Sequence, residues 1–147
     1  ATTLWEEMAN RHRIFLPAGS LKLHWVAVKD VAEAAATALT KNIDGQGLTI
    51  CISESHRFAE VVDKINTICA TDLTYQSPSL PVYVGHSLRQ GKPLSFILVM
   101  LLLHYLPRLN RHSVTINSDF KRVAGRTPIS LDTFIAQNRP LFEELRI

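Results

Sequence analysis

The chain has 147 residues, enough for one domain with a sizeable core and too few for two domains of ordinary size. Hydrophobic residues make up 46% and charged residues 20%, a balance that is typical of a globular protein and excludes a disordered one. The net charge of +3 is not concentrated in a basic stripe with interleaved aromatic residues, so we expect no nucleic-acid partner.

Cysteine and histidine spacing argues against a metal site. Cys51 and Cys69 do not form a CxxC pair, and no histidines follow HxxxH or HExxH spacing. We therefore expect reduced, mostly buried thiols in a cytoplasmic protein and no bound metal.

The most apolar run of the sequence extends from Leu94 to Leu106. As a helix it would be about 20 Å long, which is shorter than the roughly 30 Å hydrocarbon core of a bilayer. It predicts a buried core helix, and we expect no membrane partner. Residues 1–13 are too polar for a signal peptide, so they predict no secretion.

The first predicted elements are a helix, a short extended piece and a βα unit. Residues 2–13 carry Leu4, Trp5 and Met8 at helical spacing, and an extended piece with a turn follows. Apolar residues between Leu21 and Val26 then predict a short buried strand.

A long alanine-rich helix follows that strand. Asp30 is predicted to be its N-cap, and Glu33, three residues later, would complete a capping box. Small residues predict a narrow helix face that packs closely on a sheet; they are Val31, Ala34, Ala35 and Ala38.

The middle of the chain predicts a second βα unit. Residues 42–47 have turn chemistry, and the apolar run 48–53 is typical of a strand that is buried on both faces. A helix capped by Ser53 or Ser55 should follow, and a short edge strand should end at Pro78. The apolar stripe of that helix comprises Phe58, Val61, Val62, Ile65 and Ile68.

The last third of the sequence predicts mainly helices. Residues 82–112 favour helix with breaks at 90–93 and Pro107, and 113–118 connect to a helix with Asp119 near its start and Gly125 at its C-cap. A final helix should be capped by Ser130 and should bury Leu131, Phe134 and Ile135.

This order of elements is α/β in class. The chain contains only two or three strands, which make a poor sheet by themselves, because buried strands need helices or further strands around them. The phosphate-binding patterns GxGxxG, GxxGxxG and GxxxxGK[ST] are absent, and so is a YxxxK pair. We therefore expect no complete catalytic site in these residues.

Three segments in this order and spacing resemble the C-terminal half of the NmrA-like atypical short-chain dehydrogenase/reductases, which have an NAD(P)-binding Rossmann-type fold. The first is "LPAGSLKLHWVAVKDVAEAAATAL", in which a strand ends in a "DVA" turn before an alanine-rich helix. The second is "GLTICISESHRFAEVVDKI", and the third is "AGRTPISLDTF", which resembles the family's late "TGRxPxxLxxF" segment. The resemblance covers residues 15–142. "ISESHRF" departs from the family's common "LTGPE" at one turn.

The resemblance implies that residues 1–147 are one domain or fragment, the C-terminal part of a Rossmann-like fold with few strands, flanking helices and a small helical substrate lobe. The dinucleotide-binding half would be absent from this chain. The full protein would be an oxidoreductase with NADP or NAD as its cofactor, whose reduced form, NADPH or NADH, transfers hydride to a small carbonyl or quinone-like substrate, and this chain alone would be inactive. The alternatives are a non-catalytic NAD(P)-sensing regulatory protein and a small interaction domain that forms a homodimer through its apolar helix.

No residue of the chain is assigned a catalytic role, but five are candidates for contact with the small-molecule substrate. Trp25 ends a strand, where ligands of open α/β sheets bind. The other four carry polar groups on an apolar background in the lobe, as pocket residues do. A core or interface position for Trp25, and partly exposed helix positions for the others, are the alternatives. The five candidates are Trp25, Tyr83, His86, His104 and Tyr105.

Two further residues have a structural interpretation. His24, on an apolar strand, predicts a hydrogen-bonded structural histidine. Arg126 follows a helix end at Gly125, and the resemblance implies a structural turn there.

Overall fold

The computed structural model describes residues 3–41, 54–105, 107 and 119–145, and in these ranges helices surround short strands. The α/β class predicted from the sequence is confirmed. In chain order the elements are α1 (Thr3–Arg11), β1 (Arg13–Phe15), β2 (Lys22–Trp25), α2 (Val28–Thr40), β3 (Glu54–Arg57), α3 (Phe58–Cys69), β4 (Thr74–Gln76), α4 (Leu80–Arg89), α5 (Leu94–His104), α6 (Phe120–Ala124), α7 (Leu131–Gln137) and α8 (Arg139–Glu143). The predicted turn at 42–47, the strand at 48–53 and the connector at 113–118 lie outside the described residues.

The strands form two separate pairs. β1 and β4 are parallel, with Ile14 opposite Tyr75, whereas β2 and β3 are antiparallel, with Trp25 opposite Glu54. A parallel pair needs a long crossover, and here the chain between β1 and β4 includes α2 and α3. The crossover brings α3 close to both pairs.

Two details of the strand predictions are wrong. β2, predicted as a buried strand, is only partly buried: His24 is exposed on it, while Leu23 and Trp25 pack against the core, because side chains alternate along a strand. Ser55 does not cap α3, since it lies inside β3, paired with His24. The helix begins at Phe58, and the Glu60 side chain accepts a hydrogen bond from the Arg57 backbone N–H at 2.9 Å.

The core is built on the predicted apolar stripe of α3. Its buried members pack against α7 and α8, where Ser130 caps α7 by accepting a hydrogen bond from the Thr133 N–H at 3.1 Å, as predicted. Phe134 was expected in the core but is half exposed. The buried members of the α3 stripe are Phe58, Val61, Val62 and Ile65, with Ile68 partly buried against them.

Asp30 is not an N-cap. α2 begins two residues earlier, after Ala27, and this places Asp30 inside the first turn, where it is fully buried. Its carboxylate accepts hydrogen bonds from the Arg126 guanidinium at 2.7 Å and from the Ile129 backbone N–H at 2.6 Å. Glu33 does not complete a capping box, because it also binds Arg126. Hydrogen bonds with Glu33 and then Asp30 raise the pKa of Arg126 above its usual range.

The small-residue face of α2 is covered only in part by described residues. Ala34 is buried against Phe120 and Val123 of α6, as expected for a close helix contact. The other three predicted members of the face are exposed; they are Val31, Ala35 and Ala38.

A buried carboxylate joins α1, β1 and α4. Glu7 of α1 is 5% exposed, and its Oε1 lies 2.9 Å from His86 Nε2 and 2.6 Å from Gln90 Nε2. The Nε–H of Arg13 donates to the other oxygen, Oε2, at 2.9 Å. Burial alone would raise the pKa of Glu7, but hydrogen bonds from His86, Arg13 and Gln90 lower the pKa to about 2.

We expect Asp30→Ala to lower the free energy of unfolding by about 3 kcal/mol, because it leaves the Ile129 N–H unsatisfied and removes the partner of Arg126. Urea unfolding followed by circular dichroism measures this. Asp132→Ala is the matched control: Asp132 pairs with Lys64 on the exposed surface, so its loss should cost less than about 1 kcal/mol. Equal losses in the two variants would contradict the structural role of Asp30.

Glu7 should make the free energy of unfolding depend on pH in the acidic range. Its pKa is depressed from 4.5 to about 2 in the folded chain, so its contribution is complete above pH 4.5 and is lost as the pH falls toward 2. We expect Glu7→Gln to cost roughly 3 kcal/mol at pH 6, and the difference from the wild type should shrink below pH 4.5.

Urea unfolding at a series of pH values measures this difference. The control is Glu6→Gln, on the exposed side of the same helix, which should keep the wild-type profile. A Glu7→Gln profile parallel to that of the wild type down to pH 2.5 would refute the prediction.

Candidate functional site

An apolar cavity of about 310 Å³ opens beside the end of β2. Its floor consists of the buried side chains of α3 and α7, including Val61, Ile65 and Ile135. Half-exposed or exposed lining residues, Trp25, Val28 and Phe134, mark its open side. The volume is at the lower end of the range for small-molecule pockets.

Trp25 lines this cavity, as its position at the end of a strand predicts. Its indole N–H donates to the His56 backbone oxygen at 3.3 Å, and its ring meets the ring of Phe58 edge-on, with centroids 5.6 Å apart. The hydrogen bond and the edge-on contact hold the indole in one orientation. Trp25 is therefore a core-packed aromatic and a cavity wall at the same time.

His104 and Tyr105 lie at the end of α5. The His104 ring is 6.0 Å from the ring of Phe58, and its Nδ1 is 2.8 Å from the Met100 backbone oxygen. Tyr105 is the C-cap residue of α5, and its backbone N–H donates to the Leu101 oxygen at 2.8 Å. Neither residue lines the apolar cavity.

Tyr83 and His86 lie together in a different place. They line a small space, with room for about one water molecule, beside Glu7, Phe15 and Lys92. Burial raises the pKa of Tyr83. His86 uses its Nε2 on Glu7 and packs 4.7 Å from the ring of Phe15.

The structure thus divides the five predicted residues among three places. Trp25 is at the apolar cavity, Tyr83 and His86 are at the small space beside Glu7, and His104 and Tyr105 are at the end of α5. The apolar cavity and the small space have one wall in common, Leu4.

Sequence reasoning missed Glu7 and the position of Phe134. A usable signal existed for Glu7: it lies between Leu4 and Met8 on the apolar side of α1, where an acid needs a buried partner. Phe134 had the spacing of a buried residue, and only the tertiary structure shows that it lines an opening.

The described lining of the cavity is almost entirely apolar. Among the described residues that line it, none is charged, and its one hydroxyl, on Ser130, already accepts the Thr133 N–H. Such a surface selects neutral, apolar molecules. In the described ranges, no three His, Cys, Asp or Glu side chains could hold a metal ion, and no helix is long and apolar enough to cross a membrane.

Comparisons with known proteins found similarity in structure only. No protein-family model matches the chain, and no curated protein matches it. The triphenylmethane reductase of Citrobacter sp., in its complex with NADP(H), has a TM-score of 0.72 at 18% identity, over 90% of this chain and 46% of that one.

Two further solved structures are similar to the same extent. A nucleoside-diphosphate-sugar epimerase from Staphylococcus aureus has a TM-score of 0.70 at 17% identity, over 88% of this chain and 45% of that one. An NADPH-dependent quinone oxidoreductase from Escherichia coli has a TM-score of 0.71 at 13% identity, over 88% and 47%. The chain spans slightly less than half the length of each structure. It therefore shares the fold of about half of each of these structures, which confirms the partial Rossmann-like fold that the sequence predicts.

Proposed function

We propose that the chain is the C-terminal, substrate-lobe part of an NmrA-like NAD(P)-dependent oxidoreductase that acts on a small carbonyl or quinone-like substrate. The observation that carries the proposal is the structural likeness, which covers nearly all of this chain and less than half of each neighbour. The remaining half would hold the dinucleotide, whose nicotinamide supplies the hydride. The chain alone would be inactive.

Among the residues that the structure describes, the β2–α2 turn does not fit the pyrophosphate of a dinucleotide. In Rossmann folds a glycine-rich turn lets the helix N-terminus approach the pyrophosphate. The β2–α2 turn of this chain has no glycine, and the first turns of α2 contain the carboxylates of Asp30 and Glu33. Arg126 pairs with both carboxylates and offsets only part of their negative charge, so this turn does not attract a phosphate.

The role left to this chain is to bind and orient the substrate. The cavity offers Trp25 and Phe134 as flat aromatic walls above an aliphatic floor. Such walls suit a neutral ring, which they would hold by apolar contact and shield from water. This is what a lobe beside a nicotinamide has to do for a quinone-like substrate.

We also propose a cytoplasmic location. Cys69 is a fully buried thiol on α3, and buried thiols are typical of proteins in reducing compartments. Imaging of a fluorescent fusion tests this.

We expect duroquinone, a neutral and fully substituted quinone, to raise the melting temperature of this chain, and NADPH to leave it unchanged. A ligand stabilises a protein only if it binds the native state. Differential scanning fluorimetry measures both effects. The sequence upstream of Ala1 gives an independent check, because the proposal requires a GxxGxxG turn there.

Two substitutions on α2 test whether the quinone binds in the apolar cavity. Val28→Trp places a large side chain at the open side of the cavity and should weaken binding by about tenfold, that is about 1.4 kcal/mol. Leu39→Trp, at the other end of the same helix and equally exposed, should bind like the wild type. Stabilisation by NADPH, or equal quinone binding by both variants, would overturn the proposal.

A further inference from the structure

α5 presents an apolar surface to solvent. The sequence predicted a buried core helix here, and that prediction is wrong for most of its length: of its large apolar residues, Ile97 alone is buried. We call the exposed set the α5 face; its five members are between 52% and 69% exposed, and they are Leu94, Leu98, Val99, Leu102 and Leu103.

The α5 face is continuous. Leu94, Leu98 and Leu102 follow one another at four-residue intervals, so they lie in one row, and Val99 and Leu103 form a second row. Ile97, Met100 and Leu101 lie on the opposite side and contact the core. No charged residue occurs between positions 94 and 104. One side of α5 thus anchors the helix, and the other is available to a partner.

We propose that the α5 face is the interface of a homodimer, in which a second copy of this chain packs its own α5 against the first. The five side chains expose on the order of 500 Å² per copy, the upper range for the largest patch of an ordinary monomer. Pairing two copies would remove about 1,000 Å² from water, the area at which a specific interface begins.

The neighbouring helix also exposes apolar residues. α4 packs beside α5, and its Val82 and Leu88 are also about half exposed. An uncharged apolar surface is complementary to itself, as a twofold interface requires. The two rows of side chains form ridges that can pack into the grooves of an identical helix.

Two other possible partners of the α5 face are the proposed dinucleotide-binding half and a membrane surface, and both fit it less well than a second copy does. The proposed dinucleotide-binding half has a surface of its own on α2, where Val28 and Leu39 are more than 80% exposed and α6 covers the other side. A membrane-surface helix normally opposes its apolar side with a charged one, but the opposite side of α5 is embedded in the core. A second copy therefore suits this face best.

Sedimentation equilibrium over a concentration series tests the proposal. The wild-type chain should approach twice its 16.5 kDa mass as concentration rises. Leu98→Asp places a charge in each copy at the centre of the face and should weaken dimerisation by at least about 100-fold. Leu39→Asp, on a still more exposed apolar residue of α2, is the control and should dimerise like the wild type.

A cysteine variant tests the same contact without relying on a charged substitution. Near a twofold axis a residue meets its own copy, so Leu98→Cys should form a disulfide-linked dimer on mild oxidation, whereas Leu39→Cys and the wild type should not. A wild type that stays monomeric at several hundred micromolar would overturn the proposal. So would a monomer that sediments with vesicles through α5, or a dimer that Leu39→Asp dissociates and Leu98→Asp does not. None of these measurements depends on a dinucleotide or quinone, so this inference can fail independently of the proposed function.

Discussion

The buried contact between Asp30 and Arg126 orders the part of the fold that surrounds the cavity. The two residues are 96 positions apart, and their contact holds the first turn of α2 against the segment that leads into α7. A carboxylate without exposure to water needs strong partners, and the Ile129 N–H supplies a second one. Because Ile129 and Val28 both line the cavity, the same polar contact sets the distance between two of its walls.

A second buried carboxylate, that of Glu7, also connects elements that are distant in the sequence. Glu7 brings α1, β1 and α4 together through Arg13 and His86. Of the predicted substrate contacts, His86 binds Glu7, and Tyr83 lines the small space beside them. Their role in substrate binding stays a prediction.

Much of the fold was predictable from local patterns. The α3 stripe, the Ser130 cap and the Gly125 C-cap were all predicted correctly, since each depends on neighbouring residues. Asp30, Phe134 and α5 were predicted wrongly, since each depends on residues far away in sequence. An aspartate near the start of a helix is typical of an N-cap, but Asp30 instead binds Arg126, which is far away in the sequence. A leucine-rich helix is likewise typical of a core, but whether α5 is buried depends on how many other elements pack against it.

Local patterns in the sequence were enough to predict the α/β class, most of the described helices and the resemblance to half of a Rossmann-type reductase, because these follow from periodicity, turn chemistry and short segments in a fixed order. Contacts between distant residues are needed to establish which polar residues are buried partners, where the apolar cavity opens, and which helix face stays in water. Burial is a property of the packed chain, so residues distant in sequence decide it, and no local pattern contains that information.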